Sequence, residues 1–165
     1  NPWMQESSNK IIQQGEIVSF DTDMVGPYGY CADISRTFVC GNDFNNTQKE
    51  LYCMSLEQIN HNSNLIKADM SFKEFTEKSW KLPEEYYGNR YSVMVHGIGL
   101  CDEWPSIRYP TDGGDKSGRF LKNMTITVES YIGKVGGKEG VKLEQQYLVG
   151  ENGLELMSHH PLENI

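Results

Sequence analysis

The segment that most constrains this chain is an acidic stretch that follows a short apolar run. Residues 17–20 (I-V-S-F) are rich in apolar and β-branched side chains, a composition typical of a β-strand. Because alternate side chains of a strand share a face, Asp21 and Asp23 are predicted to point the same way.

A turn then returns a third carboxylate to this pair. Residues 26–29 (G-P-Y-G) are strong turn formers, and residues 34–39 predict a second strand, so that a hairpin spans residues 16–40. Asp33, just before that strand, is expected beside the first two aspartates. Like charges in so small a volume raise one another's pKa unless a cation neutralises them. The alternative, a solvated hairpin with surface acids, is disfavoured because further ligand-type residues recur downstream.

Composition excludes several classes of partner. The 165 residues carry a net charge of −8, which disfavours binding to nucleic acid or to an anionic membrane. The chain contains no apolar run long enough to span a bilayer. Its length suits one catalytic domain over residues 1–165. Because the first residue is Asn1 rather than Met, we expect the C-terminal part of a longer protein, although a processed or trimmed chain is equally compatible.

The cysteines indicate a reducing compartment. Cys31, Cys40, Cys53 and Cys101 show no C-x-x-C spacing, so a zinc ribbon or a redox pair is disfavoured. Free thiols in a cytoplasmic protein are the simpler interpretation.

Helices are predicted on both sides of the acidic hairpin. Residues 47–50 (T-Q-K-E) have the form of a capping box, and apolar residues at helical spacing extend a long helix to residue 67. A second capping box opens a helix over residues 71–80, and Pro83 starts a short third one. Residues 6–14 are expected to be the tail of a further helix. We interpret these helices as scaffold and the lone His61 as a surface residue.

A histidine follows the next predicted strand. Residues 91–95 lead directly into His96, and the glycines at positions 97 and 99 leave room around it. Residues 106–119 contain several turn-forming residues and are expected to form a surface loop.

Two later strands each carry a central glutamate. Residues 124–130 alternate so that Glu129 shares a face with two threonines. Residues 141–149 are expected to form the last strand, with Glu144 at its centre. A glutamate in the middle of each of two consecutive strands is unusual in an ordinary sheet, whereas both make sense as metal ligands.

Six side chains from these strands and strand ends form a candidate metal site. They are Asp21, Asp23, Asp33, His96, Glu129 and Glu144. Several carboxylates with one imidazole form a hard, oxygen-rich site that suits Fe, Mn, Co or Zn better than copper. So many carboxylates would overload one divalent ion, and we expect two ions roughly 3.5–4 Å apart, bridged by carboxylate. The spacing leaves open whether Asp21, Asp23 or both of them are ligands.

The order of these residues resembles a known family. Asp, Asp, His, Glu and Glu on successive strands, with H-G-I-G-L at residues 96–100, resemble the pita-bread metallopeptidases, which include methionine aminopeptidase, aminopeptidase P, prolidase and creatinase. The resemblance covers essentially the whole chain. It implies an α+β fold in which a curved antiparallel sheet is flanked by helices, built from two pseudo-symmetric halves, with this chain as the C-terminal catalytic part.

The chain departs from the peptidase pattern after the histidine. Peptidases of the prolidase type continue H-G-I-G-L-x-x-H-E-x-P, where the second histidine contacts the scissile peptide, whereas residues 96–105 read H-G-I-G-L-C-D-E-W-P. The segment is one residue shorter and lacks that second histidine, and Asp102 stands near its position. In two segments the chain is similar to lyases of this fold that act on dimethylsulfoniopropionate (DMSP). The segments are residues 96–105 and residues 20–37, which read F-D-T-D-M-V-G-P-Y-G-Y-C-A-D-I-S-R-T.

The lyase resemblance implies cleavage of DMSP to dimethyl sulfide and acrylate by a homodimer of the full-length chain. It implies iron as the first candidate metal, with Mn, Zn, Co or Ni as alternatives. Carried over by position, the six acidic and histidine residues above are ligands, Asp102 is the catalytic base and Tyr91 lies near the substrate. Trp104, Tyr91 or Trp3 could hold the sulfonium cation by a cation–π attraction of about 0.5–2 kcal/mol.

Each assignment has a plainer alternative. The alternative for Asp102 is that its side chain caps a turn. The alternative for each aromatic residue is that it packs in the core. A prolidase-like Xaa-Pro aminopeptidase is the second functional hypothesis, because most such folds cleave peptides. A binding module that has kept the fold and lost catalysis is the third, which the complete ligand set disfavours.

Overall fold

The computed structural model describes residues 8–41, 43–114 and 116–162. Within them the strands are β1 (Ile17–Asp21), β2 (Met24–Val25), β3 (Cys31–Ala32), β4 (Ser35–Val39), β5 (Val93–Gly97), β6 (Ser106–Arg108), β7 (Thr125–Gly133), β8 (Gly140–Val149) and β9 (Leu154–Leu156). The helices are α1 (Asn46–Leu65), α2 (Phe72–Lys78) and α3 (Glu84–Tyr87).

An antiparallel sheet forms the centre of the fold. Its five strands lie in the order β6-β5-β7-β8-β9, and each neighbouring pair is antiparallel. Side chains alternate between its faces, so that Ile126, Val128 and Ile132 join the hydrophobic core, whereas Glu129 points to the opposite face. The long helix α1 packs on β7 and β8 and contributes the buried Ile59 to the core. The expected α+β architecture, with an antiparallel sheet flanked by helices, is confirmed.

The acidic hairpin lies against this sheet. Strands β1 and β4 pair antiparallel, with Asp21 opposite Ser35. The Thr37 hydroxyl donates to the Lys142 carbonyl at 2.7 Å and accepts from the Lys142 N–H at 3.1 Å, which ties β4 to β8. Asp33 lies between β3 and β4, two residues before Ser35, so that the hairpin delivers it to the sheet as predicted.

The hairpin differs from the prediction at one ligand candidate. Strand β1 ends at Asp21, and Asp23 has a φ of 35°, in the left-handed region, before the chain enters the small β2–β3 hairpin. The prediction that Asp21 and Asp23 share one strand face is therefore wrong, because the strand ends between them.

Two of the predicted helix starts can be compared with the hydrogen bonds. The capping box of α1 is formed by Asn45 and Gln48, each side chain accepting from the other's backbone N–H at 2.9 Å, and not by Thr47 and Glu50. The second box is correct in its first half, since Ser71 Oγ accepts from the Glu74 N–H at 3.1 Å. Helix α3 follows Pro83 as predicted.

Three further predictions are wrong. Residues 8–14 are not helical, and residues 6 and 7 lie outside the described part of the chain. Residues 106–119 are not entirely loop, because Ser106–Arg108 forms β6 and fully buries Ile107 at the sheet edge. The strand over residues 140–149 is not the last, since β9 pairs with it. No helix in the described ranges is both long and apolar enough to cross a membrane.

Candidate metal centre

Five of the six predicted ligands converge on one face of the sheet. In the described part of the chain, three overlapping groups bring their oxygen or nitrogen atoms within 4.8 Å of one another. The groups are Asp33, His96 and Asp102; His96, Glu129 and Glu144; and Asp21, Asp33 and Glu144. Because Asp33, His96 and Glu144 each belong to two groups, the three groups form one continuous centre.

Strand register explains how the three central ligand candidates meet. Glu129 on β7 is paired directly with Glu144 on β8, and His96 on β5 is paired with Thr127 on β7. His96 Nε2 therefore lies 3.2 Å from Glu144 Oε1 and 3.7 Å from Glu129 Oε1. His96 is 2% exposed and Glu144 is fully buried, so the expectation of open space around the histidine is wrong. This part of the centre lies inside the protein.

The acidic hairpin completes the centre from the other side. Asp33 Oδ2 lies 3.7 Å from His96 Nε2. Between Asp21 and Glu144 lies the buried hydroxyl of Ser35, 2.6 Å from Asp21 Oδ1 and 2.9 Å from Glu144 Oε2. The Ser35 hydroxyl lies within hydrogen-bond distance of both carboxylates, so Ser35 holds two ligand candidates in place. The sequence prediction did not include this serine.

Asp23 is the predicted ligand that the structure does not bring into any of these groups. Its backbone N–H donates to Asp33 Oδ1 at 3.4 Å, so it contacts the centre through its main chain. Ligation by its carboxylate stays a prediction.

The candidate base is a partly exposed residue beside His96. Asp102 follows β5 in a loop, and its Oδ1 is 3.9 Å from His96 Nδ1. The same oxygen accepts from the Glu103 N–H at 2.9 Å, so the alternative of a turn-capping aspartate also has a contact in its favour. The loop folds tightly over β5, where a Cβ at Gly97 would overlap the carbonyl oxygen of Trp104.

Burial and mutual repulsion raise the pKa of the hairpin carboxyls. Burial, together with the charges of Glu144, Asp21 and Asp23, raises the pKa of Asp33 to about 9. Burial raises the pKa of Asp21 as well, although Lys142 opposes the shift. Carboxyl groups with pKa values raised in this way are stabilised by binding either a proton or a metal cation.

The pKa values of the ligand candidates on the sheet shift in different directions. Burial raises the pKa of Glu129 to about 7, against the opposing charge of Lys142. For Glu144 burial acts in the same direction, but the ammonium of Lys142 and the hydrogen bond from His96 prevail and lower its pKa to about 2. Burial alone would lower the pKa of His96, whereas its bond to Glu144 and the charge of Glu129 raise it to about 10.

A buried lysine was missed by the sequence prediction. Lys142 is 4% exposed, and its ammonium pairs with Glu129 Oε2 and lies 3.6 Å from Glu144 Oε2 and 3.7 Å from Asp21 Oδ2. Burial opposes its charge, but the surrounding carboxylates raise its pKa well above the usual value. The signal was present in the sequence, because Lys142 and Glu144 are two residues apart on one strand and must share a face.

One atom indicates that these residues fit a metal ion. Glu129 Oε1 is buried and has no hydrogen-bond partner among the described residues, although an unpaired buried carboxylate oxygen is costly. It faces His96, with Glu144 alongside. A carboxylate oxygen and an imidazole nitrogen at this separation are suitable ligands for a hard or borderline divalent cation.

The predicted substrate-binding aromatics have different surroundings. The ring centroid of Tyr91 lies 4.8 Å from Lys142 Nζ, and its hydroxyl donates to Glu103 Oε1 at 3.2 Å. Burial, with the nearby Glu129 and Glu103, raises the pKa of Tyr91. Trp104 is 63% exposed on the loop that carries Asp102, and Trp3 lies outside the described residues. His61 is exposed and apart from the centre, as predicted.

Comparisons with known proteins identify relatives of this chain. The model of metallopeptidase family M24 matches residues 1–151. The chain is 39% identical over 99% of its length to "Dimethylsulfoniopropionate lyase DddP" of Roseovarius nubinhibens, and 36% identical over 99% to the protein of the same name from Roseobacter denitrificans. It spans 37% of the length of each of these relatives.

A solved structure extends the comparison to the fold. The prolidase from Pyrococcus furiosus superimposes with a TM-score of 0.75 at 31% identity, over 91% of this chain and 43% of the prolidase. The predicted pita-bread fold and the resemblance to DMSP lyases are thereby confirmed, and the family and its prolidase relatives imply binding of divalent metal. The chain belongs to metallopeptidase family M24.

Proposed function

We propose that this chain carries the catalytic centre of a lyase that cleaves DMSP to dimethyl sulfide and acrylate by base-initiated β-elimination. The observation that carries the proposal is the carboxylate of Asp102, which lies 3.9 Å from the ligand candidate His96, near the position of the second histidine in prolidase-like peptidases. Similarity to two proteins named DMSP lyases supports it. Because the chain spans 37% of their length, the activity is proposed for the full-length protein that contains it.

The reaction assigns a definite task to Asp102. Its carboxylate removes a proton from the carbon next to the DMSP carboxylate, and the electron pair of that C–H bond becomes the C=C bond of acrylate. The C–S bond breaks with its electrons going to sulfur, so dimethyl sulfide leaves as a neutral molecule and the proton stays on Asp102. A divalent metal bound at the centre supplies Lewis acidity that stabilises negative charge on the substrate carboxylate.

The surroundings of Asp102 suit a general base. Burial raises the pKa of Asp102 above its usual range, although His96 opposes the shift, and a higher pKa makes a carboxylate a better proton acceptor. Its side chain is 29% exposed, so a small substrate has access to it.

For the metal we propose two divalent ions held by all six predicted ligands. Iron is the first candidate, with Mn, Zn, Co or Ni as alternatives. Two ions are supported by the overlap of the ligand groups, since Asp33 and Glu144 are each shared and bridging carboxylates are typical of dinuclear sites. Asp23 is included because it adjoins Asp33.

Substrate binding is proposed for Tyr91 and Trp104. The ring of Tyr91 already faces an ammonium group at 4.8 Å, which supports its suitability for a sulfonium cation. Trp104 is two residues from Asp102 and is 63% exposed, so it is available to a substrate that reaches Asp102. We further propose that the full-length protein is a cytoplasmic homodimer, and the four free thiols support the reducing compartment.

A second candidate function is an Xaa-Pro peptidase. Its support is the similarity to the prolidase from Pyrococcus furiosus. The two functions are separated by incubating the metal-loaded full-length protein with DMSP and, in parallel, with Xaa-Pro dipeptides. Dimethyl sulfide is measured by headspace gas chromatography and proline by amino-acid analysis. Release of dimethyl sulfide without proline is expected, whereas proline release without dimethyl sulfide would assign the chain to the peptidases.

A further inference from the structure

The buried side chain of Lys142 reaches three carboxylates from three different strands. Its ammonium pairs with Glu129 on β7 and lies 3.6 Å from Glu144 on β8 and 3.7 Å from Asp21 on β1. The ring of Tyr91 covers the ammonium at 4.8 Å. Its own strand is fixed by the two bonds between the Lys142 backbone and Thr37. The ammonium is therefore part of the centre and is shielded from solvent.

The two oxygens of Glu129 have different surroundings because of this lysine. Oε2 accepts from the Lys142 ammonium, whereas Oε1 is buried without a hydrogen-bond partner in the described residues and lies 3.7 Å from His96 Nε2. An ammonium that fixes one oxygen of a carboxylate also fixes the direction of the other. Lys142 thus leaves Glu129 with one oxygen free to bind a metal beside His96.

The charge of Lys142 has a second consequence. Glu129 and Glu144 are opposite each other in the strand register, and Asp21 approaches from the hairpin. Like charges so close in a buried site repel one another strongly unless a positive charge lies among them. A divalent metal supplies that charge when bound, and the ammonium supplies part of it in the metal-free protein.

We propose that Lys142 is a positioning residue of the metal centre, which directs one oxygen of Glu129 to the metal and keeps the carboxylates together before a metal binds. The inference rests on the metal centre and is independent of the reaction that the centre performs. It assigns a role to a residue outside the predicted ligand set, and it predicts that the protein depends on Lys142 most when no metal is present.

The test is a thermal unfolding comparison on the full-length protein, in EDTA-treated form and with excess Mn²⁺. The variants are Lys142→Met, which keeps the length of the side chain without its charge, Lys142→Arg, Glu129→Gln and the double variant Lys142→Met with Glu129→Gln. Lys138→Met, at an exposed lysine of the turn before β8, is the matched control.

Lys142→Met is expected to lower the Tm of the metal-free protein by about 5 °C or more, because it takes from Glu129 its ion-pair partner and removes one of the positive charges among the carboxylates. With Mn²⁺ the loss should be less than half as large, since the metal replaces the missing charge. The double variant should regain at least half of the metal-free loss, because it removes a carboxylate together with the ammonium. Lys142→Arg should retain most of the wild-type Tm, and Lys138→Met should not change it.

Three results would overturn the proposal. Equal losses with and without Mn²⁺ would mean that the lysine matters only for packing, and so would a double variant whose loss is the sum of the single losses. If Lys142→Met does not fold without metal, a double variant that folds supports the charge pair, and one that also fails overturns it. A wild-type Tm that does not respond to Mn²⁺ would contradict the metal centre itself, while the metal-free variants would still decide the role of Lys142.

Discussion

Asp102 Oδ1 lies 3.9 Å from His96 Nδ1, while the other nitrogen of the same imidazole, Nε2, lies 3.2 Å from Glu144 Oε1. The candidate base and the buried ligand candidate therefore approach different nitrogens of one ring. In the described residues Asp102 shares a group with Asp33 and His96 but not with Glu129 or Glu144, so changes at Asp102 are expected to affect chemistry more strongly than metal content.

Replacing the histidine should remove metal. His96→Ala takes away the nitrogen that approaches three of the buried carboxylates, so the full-length variant is expected to retain less than half of the wild-type metal after dialysis. Metal is measured by inductively coupled plasma mass spectrometry. His61→Ala, at an exposed histidine on α1, is the control and should leave the metal content unchanged. Full metal content in His96→Ala would argue against this ligand set.

Much of this centre could be predicted because strands repeat every two residues. Asp21, Glu129 and Glu144 were assigned to strands from apolar, β-branched composition and from alternation, and the hairpin that returns Asp33 follows from the turn at residues 26–29. The predicted strand face shared by Asp21 and Asp23 is wrong, because alternation does not reveal where a strand ends, and β1 ends at Asp21.

Two further errors arose because the features depend on contacts between residues that the local sequence pattern does not show. Lys142 was missed because a lysine in a strand is usually interpreted as solvent-facing, and its burial depends on carboxylates far away in sequence. The cap of α1 was placed at Thr47 because two overlapping segments fit the pattern, and only the backbone geometry selects Asn45. Such features depend on tertiary contacts that local pattern does not encode.

Ser35 is predicted to stabilise the centre. Ser35→Ala removes the hydroxyl that lies between Asp21 and Glu144, and a buried hydrogen bond to a charged group contributes about 1.5–3 kcal/mol. The free energy of unfolding of the metal-free full-length protein is expected to fall by that amount in a urea titration. Thr47→Ala, an exposed position on α1, should cost far less. Equal losses in the two variants would contradict the role of Ser35.

Stability without metal should fall as pH rises. The pKa of His96 is raised from 6.5 to about 10 and that of Asp33 from 3.8 to about 9, so between pH 6.5 and about 9 the folded protein holds protons that the unfolded chain has released. Stability then decreases with increasing pH. The Tm of EDTA-treated protein should decline across this window, and excess Mn²⁺ should reduce the decline because the cation replaces the protons. A metal-free Tm that rises with pH would contradict these pKa shifts.

Gly97 is predicted to be required for the position of the base. A Cβ at this residue would overlap the carbonyl oxygen of Trp104, so Gly97→Ala must displace the loop that carries Asp102. The variant should release dimethyl sulfide at least about 10-fold more slowly than wild type while keeping its metal, since a small misplacement of a catalytic group reduces the rate strongly. Gly136→Ala, at a glycine with a φ of 73° and open space for a Cβ, controls for the backbone strain of replacing a glycine away from the centre. Unchanged release in Gly97→Ala would mean that the loop position is not critical.

The most direct test of the account is dimethyl sulfide release from DMSP by the full-length Asp102→Asn variant, with metal content measured on the same samples. Removing a general base is expected to slow release by about 10²–10⁴-fold. The metal content should stay close to the wild-type level, because the buried ligand candidates Glu129 and Glu144 approach Nε2 of His96, whereas Asp102 approaches Nδ1. The control is Asp43→Asn, at an exposed aspartate that follows the C-terminal end of β4. This variant should behave as wild type. Wild-type rates from Asp102→Asn, or no release from the metal-loaded wild-type protein, would contradict the account.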